Sequence, residues 1–449
     1  MSLGLYISVP FCRTKCSYCN FASDVFSKSA YENYVARLLE DIANSRQLAA
    51  ELGCVLEETA DSIYLGGGTP SILEAAQLQC IFAAVRNQFA VTSDAEITVE
   101  CAPGTLTPAL IETLRQCGVN RVSLGVQSFV DQEARSVGRL HKRTTVLEEI
   151  SRLRKAGLAN ISIDLIAGLP HQTPQSWAFS VSETIATGVP HVSVYMLEVD
   201  EDSRLGRELI AGGSRYHAHF VPDEDATADF YEQACEMLAS AGIAQYEISN
   251  FARAIPSSNN QSRHNLKYWT RQPYLGFGVD AHSMLPLVWG QAPSPVQAER
   301  SSAAARGPSN PIFAIAVVEA GRRQAIRFAA PDSLHAYMNR APHTVTPVSP
   351  QAAIEETFFL GLRLNRGVDL TEIGLWEGHD FSRATKAAQR ATALAAEASC
   401  WRSAQSAIQQ CLQEGLLERQ GTTLCLTPRG RLLSNEVFAR FLTESRFHK

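Results

Sequence analysis

Short apolar runs alternate with longer stretches of helical periodicity from residue 5 to about residue 199. The short runs are rich in β-branched residues, and each is followed by a segment in which apolar residues recur every three to four positions. This alternation is typical of βα units that form a parallel sheet. It predicts strands over 5–9, 62–66, 96–101, 121–126, 161–166 and 191–197, and helices over 31–52, 75–89, 108–117, 144–156 and 174–186.

Six βα repeats are two fewer than a closed eight-stranded barrel contains. The sequence therefore predicts the α/β fold class, with a partial (βα)6 barrel that is open on one side. In parallel α/β folds, ligands bind beyond the carboxyl ends of the strands, so residues at those ends are the candidates for a functional site.

The pattern changes after the barrel. A helix is predicted over 223–241 and a strand or extended segment over 246–251. Residues 286–324 are rich in Pro, Ser and Ala, which predicts an inserted loop or linker.

The C-terminal part regains regular periodicity. Helices are predicted over 354–364 and 405–414, followed by a hairpin that turns at Gln420-Gly421 and a last helix over 432–443. A helix followed by a wing-like hairpin resembles a winged-helix module. We therefore divide the chain into a barrel with its extension (1–251), a short segment (252–285), the insertion (286–324) and an α+β, winged-helix-like domain (325–449).

Composition argues against several classes of protein. The net charge is −6 and the pI is near 6.0, so we expect no nucleic acid partner, for which a basic surface would be the footprint. Of the 11 Cys, three form the motif described next, and the others are scattered as reduced thiols of a cytoplasmic protein usually are. The first residues lack the basic segment of a signal peptide, and no apolar run is long enough to span a membrane. We therefore expect a cytoplasmic location.

Three cysteines after the first predicted strand are the strongest chemical signal. Cys12, Cys16 and Cys19 have the spacing CxxxCxxC. Three thiolates on one loop are able to ligate three irons of a 4Fe–4S cluster, which leaves the fourth iron open to a small molecule, whereas a ferredoxin supplies a fourth Cys. A zinc site is the alternative, although zinc motifs usually present a second Cys pair and this sequence has none.

Other candidate residues lie at or near the predicted strand ends. The segment GGGTP at 66–70 would let the backbone approach a ligand, or it forms only a tight turn. Glu100 and Asp164 offer acceptors for ribose hydroxyls, unless they are merely solvated carboxylates. Arg139 is a candidate partner for a ligand carboxylate, or a surface charge, and Gln127 follows the fourth strand.

Four segments together resemble a known family: YISVPFCRTKCSYCNF, YLGGGTPS, GVQSFVDQEARSVGRLHKRTTVLEEI and ISIDLIAGLPHQT. They are similar to the radical S-adenosylmethionine (SAM) superfamily and, within it, to the oxygen-independent coproporphyrinogen III oxidases and their relatives. The resemblance continues through YEISNFAR, SRHNLKYW and FFLGLRLNRGVDL, so it covers nearly the whole chain. It implies a 4Fe–4S cluster on the three cysteines. It also implies SAM contacts from Tyr6, Tyr18, Gly66, Gly67, Gly68, Thr69, Glu100, Gln127, Arg139 and Asp164.

Two markers distinguish branches of this family. Decarboxylating oxidases carry a further Cys, as CxxxCxxCxC, whereas this chain has Phe21 there, as in the heme chaperone branch. The segment HNLKYW at 264–269 matches the HNxxYW signature of that branch. The resemblance thus implies heme as a ligand, with His264 as an axial ligand of its iron.

Alternatives to this heme site stay open. His264 is equally consistent with a buried structural histidine, with Tyr268 and Trp269 as core residues rather than flat faces for a porphyrin. His282 is a second candidate for heme, and the pair His217 and His219 is a third.

The sequence thus supports three hypotheses of different classes. The first is a heme chaperone that binds a cluster, SAM and heme and delivers heme to an acceptor protein. A membrane respiratory protein is one candidate acceptor, and a homodimer is one candidate state. The second is an enzyme, an oxygen-independent coproporphyrinogen III oxidase, which the missing Cys disfavours. The third is a zinc-stabilised barrel with no redox role.

The chain departs from the family pattern near the predicted site. Ala102 stands where the family commonly has Asn, and His171 where it has Gly. Val279 and Asp280 stand where it has Pro-Gly. These differences affect the loops around the site rather than the cysteine motif.

Overall fold

All six strands predicted for the barrel form in the computed structural model, which describes residues 2–255, 258–287, 325–371 and 392–442. They run parallel and lie side by side in sequence order. The strands are β1 (Leu3–Val9), β2 (Thr59–Gly67), β3 (Ala90–Cys101), β4 (Arg121–Gln127), β5 (Asn160–Ala167) and β6 (His191–Met196).

Helices connect these strands and lead out of the barrel. Local sequence sets their ends: Thr173 and Ser176 form a capping box around Pro174, and this helix ends at Gly188 with φ 66°. The single helix predicted over 31–52 divides at Asn44, whose φ of −89° and ψ of 2° are not helical. The helices are α1 (Lys28–Ala43), α2 (Ser45–Glu51), α3 (Ala75–Gln88), α4 (Pro108–Gln116), α5 (Asp131–Ser136), α6 (Arg143–Lys155), α7 (Pro174–Thr187), α8 (Arg204–Ala211), α9 (Glu224–Ser240) and α10 (Arg263–Trp269).

The sheet is wider than the sequence predicts. It continues with β7 (Ile243–Gln245), β8 (Asn250–Ile255), β9 (Ser258–Asn259), β10 (Tyr274–Phe277), β11 (His282–Pro286), β12 (Ala325–Ala329) and β13 (Thr344–Val348). The order across it is β13-β12-β11-β10-β1-β2-β3-β4-β5-β6-β8-β7, with β9 paired to β8. β10 is parallel to β1 and so adds a seventh parallel strand, whereas the other additions are antiparallel.

The segment predicted as extended over 246–251 turns instead. Asn250 N donates to Glu247 O at 3.3 Å, so β7 and β8 form a tight antiparallel pair on either side of the turn. Only the end of the predicted segment belongs to β8.

The parallel strands show different chemistry on their two faces. On β2, for example, Ile63 and Leu65 belong to the apolar core that the helices cover, whereas Ser62 and Tyr64 point the other way, into the barrel. Strands buried on both faces usually have continuous apolar runs. Here the inward face is polar instead.

A second, smaller core lies in the C-terminal part. It is formed by α12 (Pro350–Gly361), α13 (Thr392–Gln413) and a three-stranded sheet. Within this core, Phe358 on α12 stacks on Phe441 with ring centroids 4.7 Å apart. The remaining elements are α11 (Leu334–Met338), β14 (Val368–Asp369), β15 (Leu417–Gln420), β16 (Thr423–Leu426), α14 (Pro428–Leu432) and α15 (Ser434–Ala439). The predicted helix and hairpin are therefore present, while the last helix is shorter than predicted.

The predicted domain boundaries stay a prediction. Strands β12 and β13 pair with the large sheet, so the packing groups residues 325–348 with the barrel rather than with the C-terminal core. Of the predicted insertion, Pro286 ends β11 and residues 288–324 lie outside the described residues. Within the described parts of the chain, the structure contains no helix with the length and apolarity that crossing a membrane requires.

Candidate functional site

A cavity of about 540 Å³ opens at the carboxyl ends of the parallel strands. Cys12, Cys16 and Cys19 line it, on the loop that follows β1. The volume lies in the range of small-molecule sites. The three predicted cluster ligands therefore face one cavity, at the end of the sheet where ligands of parallel α/β folds bind.

The cysteine loop is fixed on several sides. Cys12 N donates to Asp24 O at 3.0 Å, and its Sγ lies 3.7 Å from Ser23 Oγ and 3.8 Å from Thr69 Oγ1. Lys15 Nζ donates to Ser23 O at 2.8 Å, which ties the two halves of the loop together. Burial raises the pKa of the Cys12 and Cys19 thiols. Positive charge such as that of iron would favour the thiolate form that ligation requires.

Backbone from the end of β2 forms one wall of the cavity. Gly67 has φ 100°, which side chains rarely adopt, and Gly68 N donates to Val9 O at 2.8 Å. A Cβ on Gly68 would lie 2.6 Å from Phe11 O, so no larger residue fits there. The glycines thus let this backbone pack against the cysteine loop and face the cavity.

Two carboxylates face the cavity from neighbouring parts of the sheet. Glu100, at the end of β3, accepts a hydrogen bond from Tyr64 OH at 2.8 Å, and Asp164 on β5 accepts from Ser123 Oγ at 3.1 Å. Burial raises the pKa of Glu100 to about 7, and it also raises the pKa of Asp164. Both carboxylates are therefore held in an environment that disfavours their charged form. Shifted pKa values of this kind are common at functional sites.

Arg139 and Gln127 bring further polar atoms to the cavity. Arg139 Nη2 donates to Tyr18 OH at 3.1 Å, which joins the cysteine loop to the segment after α5. Gln127 has φ 69°, an uncommon conformation for a residue other than glycine. Its Oε1 and the Nε of Arg139 are buried without a hydrogen-bond partner among the described residues. Unpaired buried polar atoms and an unusual backbone together favour a polar ligand at this point.

Most of the residues predicted to contact SAM lie together. Tyr18, Gly67, Gly68, Thr69, Glu100, Gln127, Arg139 and Asp164 all line the cavity. Tyr6 and Gly66 do not. Tyr6 stacks on Tyr64 at 6.1 Å between ring centroids, and Tyr64 OH donates to Glu100, which faces the cavity. A Cβ on Gly66 would lie 3.0 Å from Glu100 Cδ, so Gly66 lies directly beside the same residue.

Sequence reasoning missed part of the lining. Ser123, Tyr195 and the segment 196–200 also border the cavity. Ser123 lies on the inward face of β4, Tyr195 and Met196 end β6, and residues 197–200 directly follow it, so strand alternation and strand ends were the signals that would have found them. Of the departures from the family pattern, Ala102 lines the cavity. Phe21, the marker of the heme chaperone branch, also lies on its rim and is largely exposed.

His264 lies elsewhere, at the amino ends of the strands. It is buried, its Nδ1 lies 3.1 Å from Ser62 Oγ, and its Nε2 lies 2.8 Å from Tyr268 OH. Burial lowers its pKa to about 3. Glu96 accepts hydrogen bonds from the backbone N–H of both Arg263 and His264, so α10 is anchored at its first turn.

This arrangement favours the structural alternative for His264. Both ring nitrogens already have partners, and Lys267 Nζ, buried on the same helix, lies 2.7 Å from Asp61 Oδ1. The helix therefore closes the amino end of the barrel, opposite the cysteine loop. A role for His264 as an iron ligand stays a prediction, and it would require α10 to move.

The other candidate histidines are more accessible. His282 begins β11 and is exposed, with its Nε2 3.7 Å from Asp280 Oδ1. His217 and His219 lie after α8, where His217 Nδ1 contacts Nε2 of His171 at 3.2 Å. Among the described residues, no group of three His, Cys, Asp or Glu side chains is arranged to hold a single metal ion.

Comparisons with known proteins agree with this geometry. The family model of the radical SAM superfamily matches residues 6–181, and that of the HemN C-terminal domain matches residues 348–433. The solved structure of coproporphyrinogen III oxidase (HemN) from Escherichia coli, described as a radical SAM enzyme, superposes with a TM-score of 0.71 at 20% identity, covering 98% of this chain and 90% of that chain. The barrel, the cysteine motif and the C-terminal domain thus define a radical SAM protein with a HemN-like fold.

Sequence relatives are more specific. Heme chaperone HemW of Bacillus subtilis is 30% identical over 98% of this chain and 99% of its own length. Heme chaperone HemW of Lactococcus lactis is 32% identical over 81% of this chain and 82% of its own. The E. coli protein of that name is 33% identical over 64% of this chain and 72% of its own. This chain belongs to the heme chaperone HemW family.

Membership of the radical SAM superfamily implies a 4Fe–4S cluster and SAM. The residues present fit both groups: three free thiols face one cavity, glycine backbone borders it, and buried polar atoms of Gln127 and Arg139 lack partners within the described chain. The donor set is that of a three-cysteine cluster site, and the polar wall suits the ribose and the amino acid part of SAM.

Proposed function

We propose that this protein is a heme chaperone that holds a 4Fe–4S cluster and SAM in the barrel cavity, binds heme and delivers it to an acceptor protein. The observation that carries the proposal is the single cavity in which the three cysteines meet the polar residues predicted to contact SAM. Relatives of the same length named heme chaperone HemW support the same function.

The protein's own residues would divide the binding work. Cys12, Cys16 and Cys19 would hold three irons of the cluster and leave its fourth iron open to SAM. A reduced cluster supplies one electron to SAM when both are bound. The remaining contacts to SAM would come from Tyr18, Gly67, Gly68, Thr69, Glu100, Gln127, Arg139 and Asp164, with Tyr6 and Gly66 supporting them.

Two carboxylates would orient the bound molecule. Glu100 and Asp164 each have a hydroxyl donor beside them, Tyr64 and Ser123 respectively, and offer oxygens to the ribose hydroxyls. Arg139 lies beside Tyr18 and the cysteine loop, where a guanidinium would pair with a carboxylate.

Anaerobic reconstitution followed by heme titration, with and without SAM, tests the proposal. We expect iron and sulfide to be incorporated and heme to be retained in a defined ratio to the protein. A variant with Cys12, Cys16 and Cys19 all changed to Ala is the control for cluster-independent binding. Failure of the cluster-loaded protein to retain heme would refute the proposed function.

The second candidate function is that of an oxygen-independent coproporphyrinogen III oxidase. The cavity that favours SAM binding would serve such an enzyme equally well, and the fold is that of HemN. Formation of 5′-deoxyadenosine together with decarboxylation of coproporphyrinogen would establish it. Iron and sulfide analysis of the same preparation separates both functions from a zinc-stabilised barrel.

The acceptor and the assembly are part of the proposal. A membrane respiratory protein is our candidate acceptor, and a homodimer is our candidate resting state. Heme transfer to membranes that contain apo-respiratory proteins, and the mass of the protein in solution, test these two points.

A further inference from the structure

Two histidines outside the cavity meet at the edge of the barrel opening. His171 lies in the loop between β5 and α7, and His217 lies just before the short turn Ala218–Phe220. Nε2 of His171 and Nδ1 of His217 are 3.2 Å apart, and His171 N donates to Phe220 O at 3.0 Å. The two loops are thus joined through the backbone as well as through the imidazoles.

The backbone holds both histidines in an uncommon conformation. His171 has φ 70° and His217 has φ 61°, a left-handed backbone region that residues other than glycine adopt only where the surrounding structure holds them there. Glu208 stabilises the conformation of His217, because its carboxylate accepts hydrogen bonds from the backbone on either side: from Tyr216 N at 2.8 Å and from Ala218 N at 3.1 Å. Glu208 therefore fixes the backbone at His217, and the contact with His171 Nε2 orients the His217 ring.

The contact between the rings determines which nitrogen remains available. Nδ1 of His217 is engaged by Nε2 of His171 at 3.2 Å, whereas Nε2 of His217 has no hydrogen-bond partner in the described chain. The tautomer of His217 that donates from Nδ1 to His171 carries its lone pair on Nε2. Histidines that ligate a metal through Nε2 usually donate from Nδ1 in this way.

The surroundings of His217 suit a flat apolar ligand with acidic groups. Phe220 is 46% exposed and packs against His171 with the rings tilted by 34° and their centroids 4.1 Å apart. Leu209 and Ile210 are exposed on α8, which contacts the Ala218–Phe220 turn. Arg215, near the Tyr216 ring, supplies a cation on the same segment. Heme combines an apolar macrocycle, an iron that takes an axial imidazole and two propionate carboxylates.

We propose that heme binds at this edge of the barrel opening, with Nε2 of His217 as an axial ligand of the iron. His171 is the positioning residue that fixes the tautomer and the direction of the His217 ring. Phe220 and the exposed face of α8 cover one side of the porphyrin, and Arg215 faces a propionate. This inference rests on the proposed function and places its heme away from the buried His264.

The test is titration of the cluster-loaded, full-length protein with ferric heme under anaerobic conditions. Visible absorption and electron paramagnetic resonance spectra report the axial ligand. The variants are His217→Asn and His171→Gly, because Asn and Gly tolerate positive φ and so preserve the loops. His282→Asn is the matched control for an exposed histidine, and His264→Gln tests the alternative ligand.

We expect His217→Asn to weaken heme binding by about tenfold or more and to remove the spectral signature of histidine ligation, with the cluster spectrum unchanged. His171→Gly should keep histidine ligation but shift the ligand-field spectrum, which a merely structural residue would not do. An unchanged heme affinity and spectrum in His217→Asn would overturn the inference, whatever His264→Gln shows, and would leave the proposed function standing. Only a wild-type protein that retains no heme would refute both this inference and the proposed function.

Discussion

Glu100 is expected to destabilise the protein when no ligand is bound, and replacing it with Gln tests this. Its carboxylate is partly buried at the end of β3, and burial raises its pKa from 4.5 to about 7. A Gln in its place keeps an oxygen that is able to accept the hydrogen bond from Tyr64 OH. The substitution therefore removes the charge without removing the neighbouring contact.

The raised pKa of Glu100 determines how its contribution to the free energy of unfolding changes with pH. Between pH 4.5 and 7 the folded protein keeps the Glu100 proton while the unfolded chain has lost it, so the wild-type protein loses stability as pH rises through this window. The full shift corresponds to about 3 kcal/mol, most of which develops between pH 5 and pH 8. The Glu100→Gln variant lacks this dependence, so we expect it to gain about 2 to 3 kcal/mol relative to wild type on going from pH 5 to pH 8.

Urea denaturation of the protein without cluster or SAM, at both pH values, measures the difference. Glu32→Gln, an exposed carboxylate on α1, is the control for a change of net charge. The same Glu100→Gln variant should bind SAM more weakly after reconstitution, because the ribose loses a charged acceptor. A difference in unfolding free energy between variant and wild type that is equal at pH 5 and pH 8 would contradict the reasoning.

Three further predictions concern the cysteine motif, His264 and Gln127. Cys16→Ala should abolish iron and sulfide incorporation on anaerobic reconstitution, whereas Cys54→Ala, a buried thiol outside the motif, should retain both; equal iron contents would contradict the cluster assignment. Burial lowers the pKa of His264 from 6.5 to about 3, so the folded protein loses stability as pH falls below 6.5, by about 3 kcal/mol between pH 7.5 and 4.5. His264→Gln should lack this pH dependence. The same change in the free energy of unfolding with pH in both proteins would refute the prediction. Gln127→Gly should stabilise the ligand-free protein by about 1 kcal/mol because it relieves a positive φ, yet weaken SAM binding in calorimetry; loss of stability would show that the side chain matters more than the backbone.

The sequence predicted the barrel well because its elements depend on local pattern. Each predicted barrel strand overlaps an observed one, and the cysteine motif lies on a loop at a strand end, as expected. The seventh parallel strand, β10, was not predicted, because only its pairing with β1, far away in the sequence, makes Tyr274–Phe277 a strand. Likewise, the HNxxYW segment carries no local sign that Glu96 and Asp61 anchor it at the amino end of the barrel.

Polar residues alternate with apolar ones along the buried barrel strands, and this pattern alone predicts a polar interior. On β4 and β5, Val122 and Leu124 alternate with Ser123, and Ile163 and Leu165 flank Asp164, so most of the inward-facing residues are polar along strands that are buried on both sides. A core strand gains nothing in stability from this alternation, because each buried polar group must find a partner. The alternation therefore marks a barrel whose interior binds something polar, and it identifies Ser123 as part of the site without any family motif. At the amino end, Ser62 and Glu96 on the inward face pair with α10. At the carboxyl end, Gln127 and Arg139 face the cavity with buried atoms that have no partner in the described chain, and a polar ligand bound there would supply one.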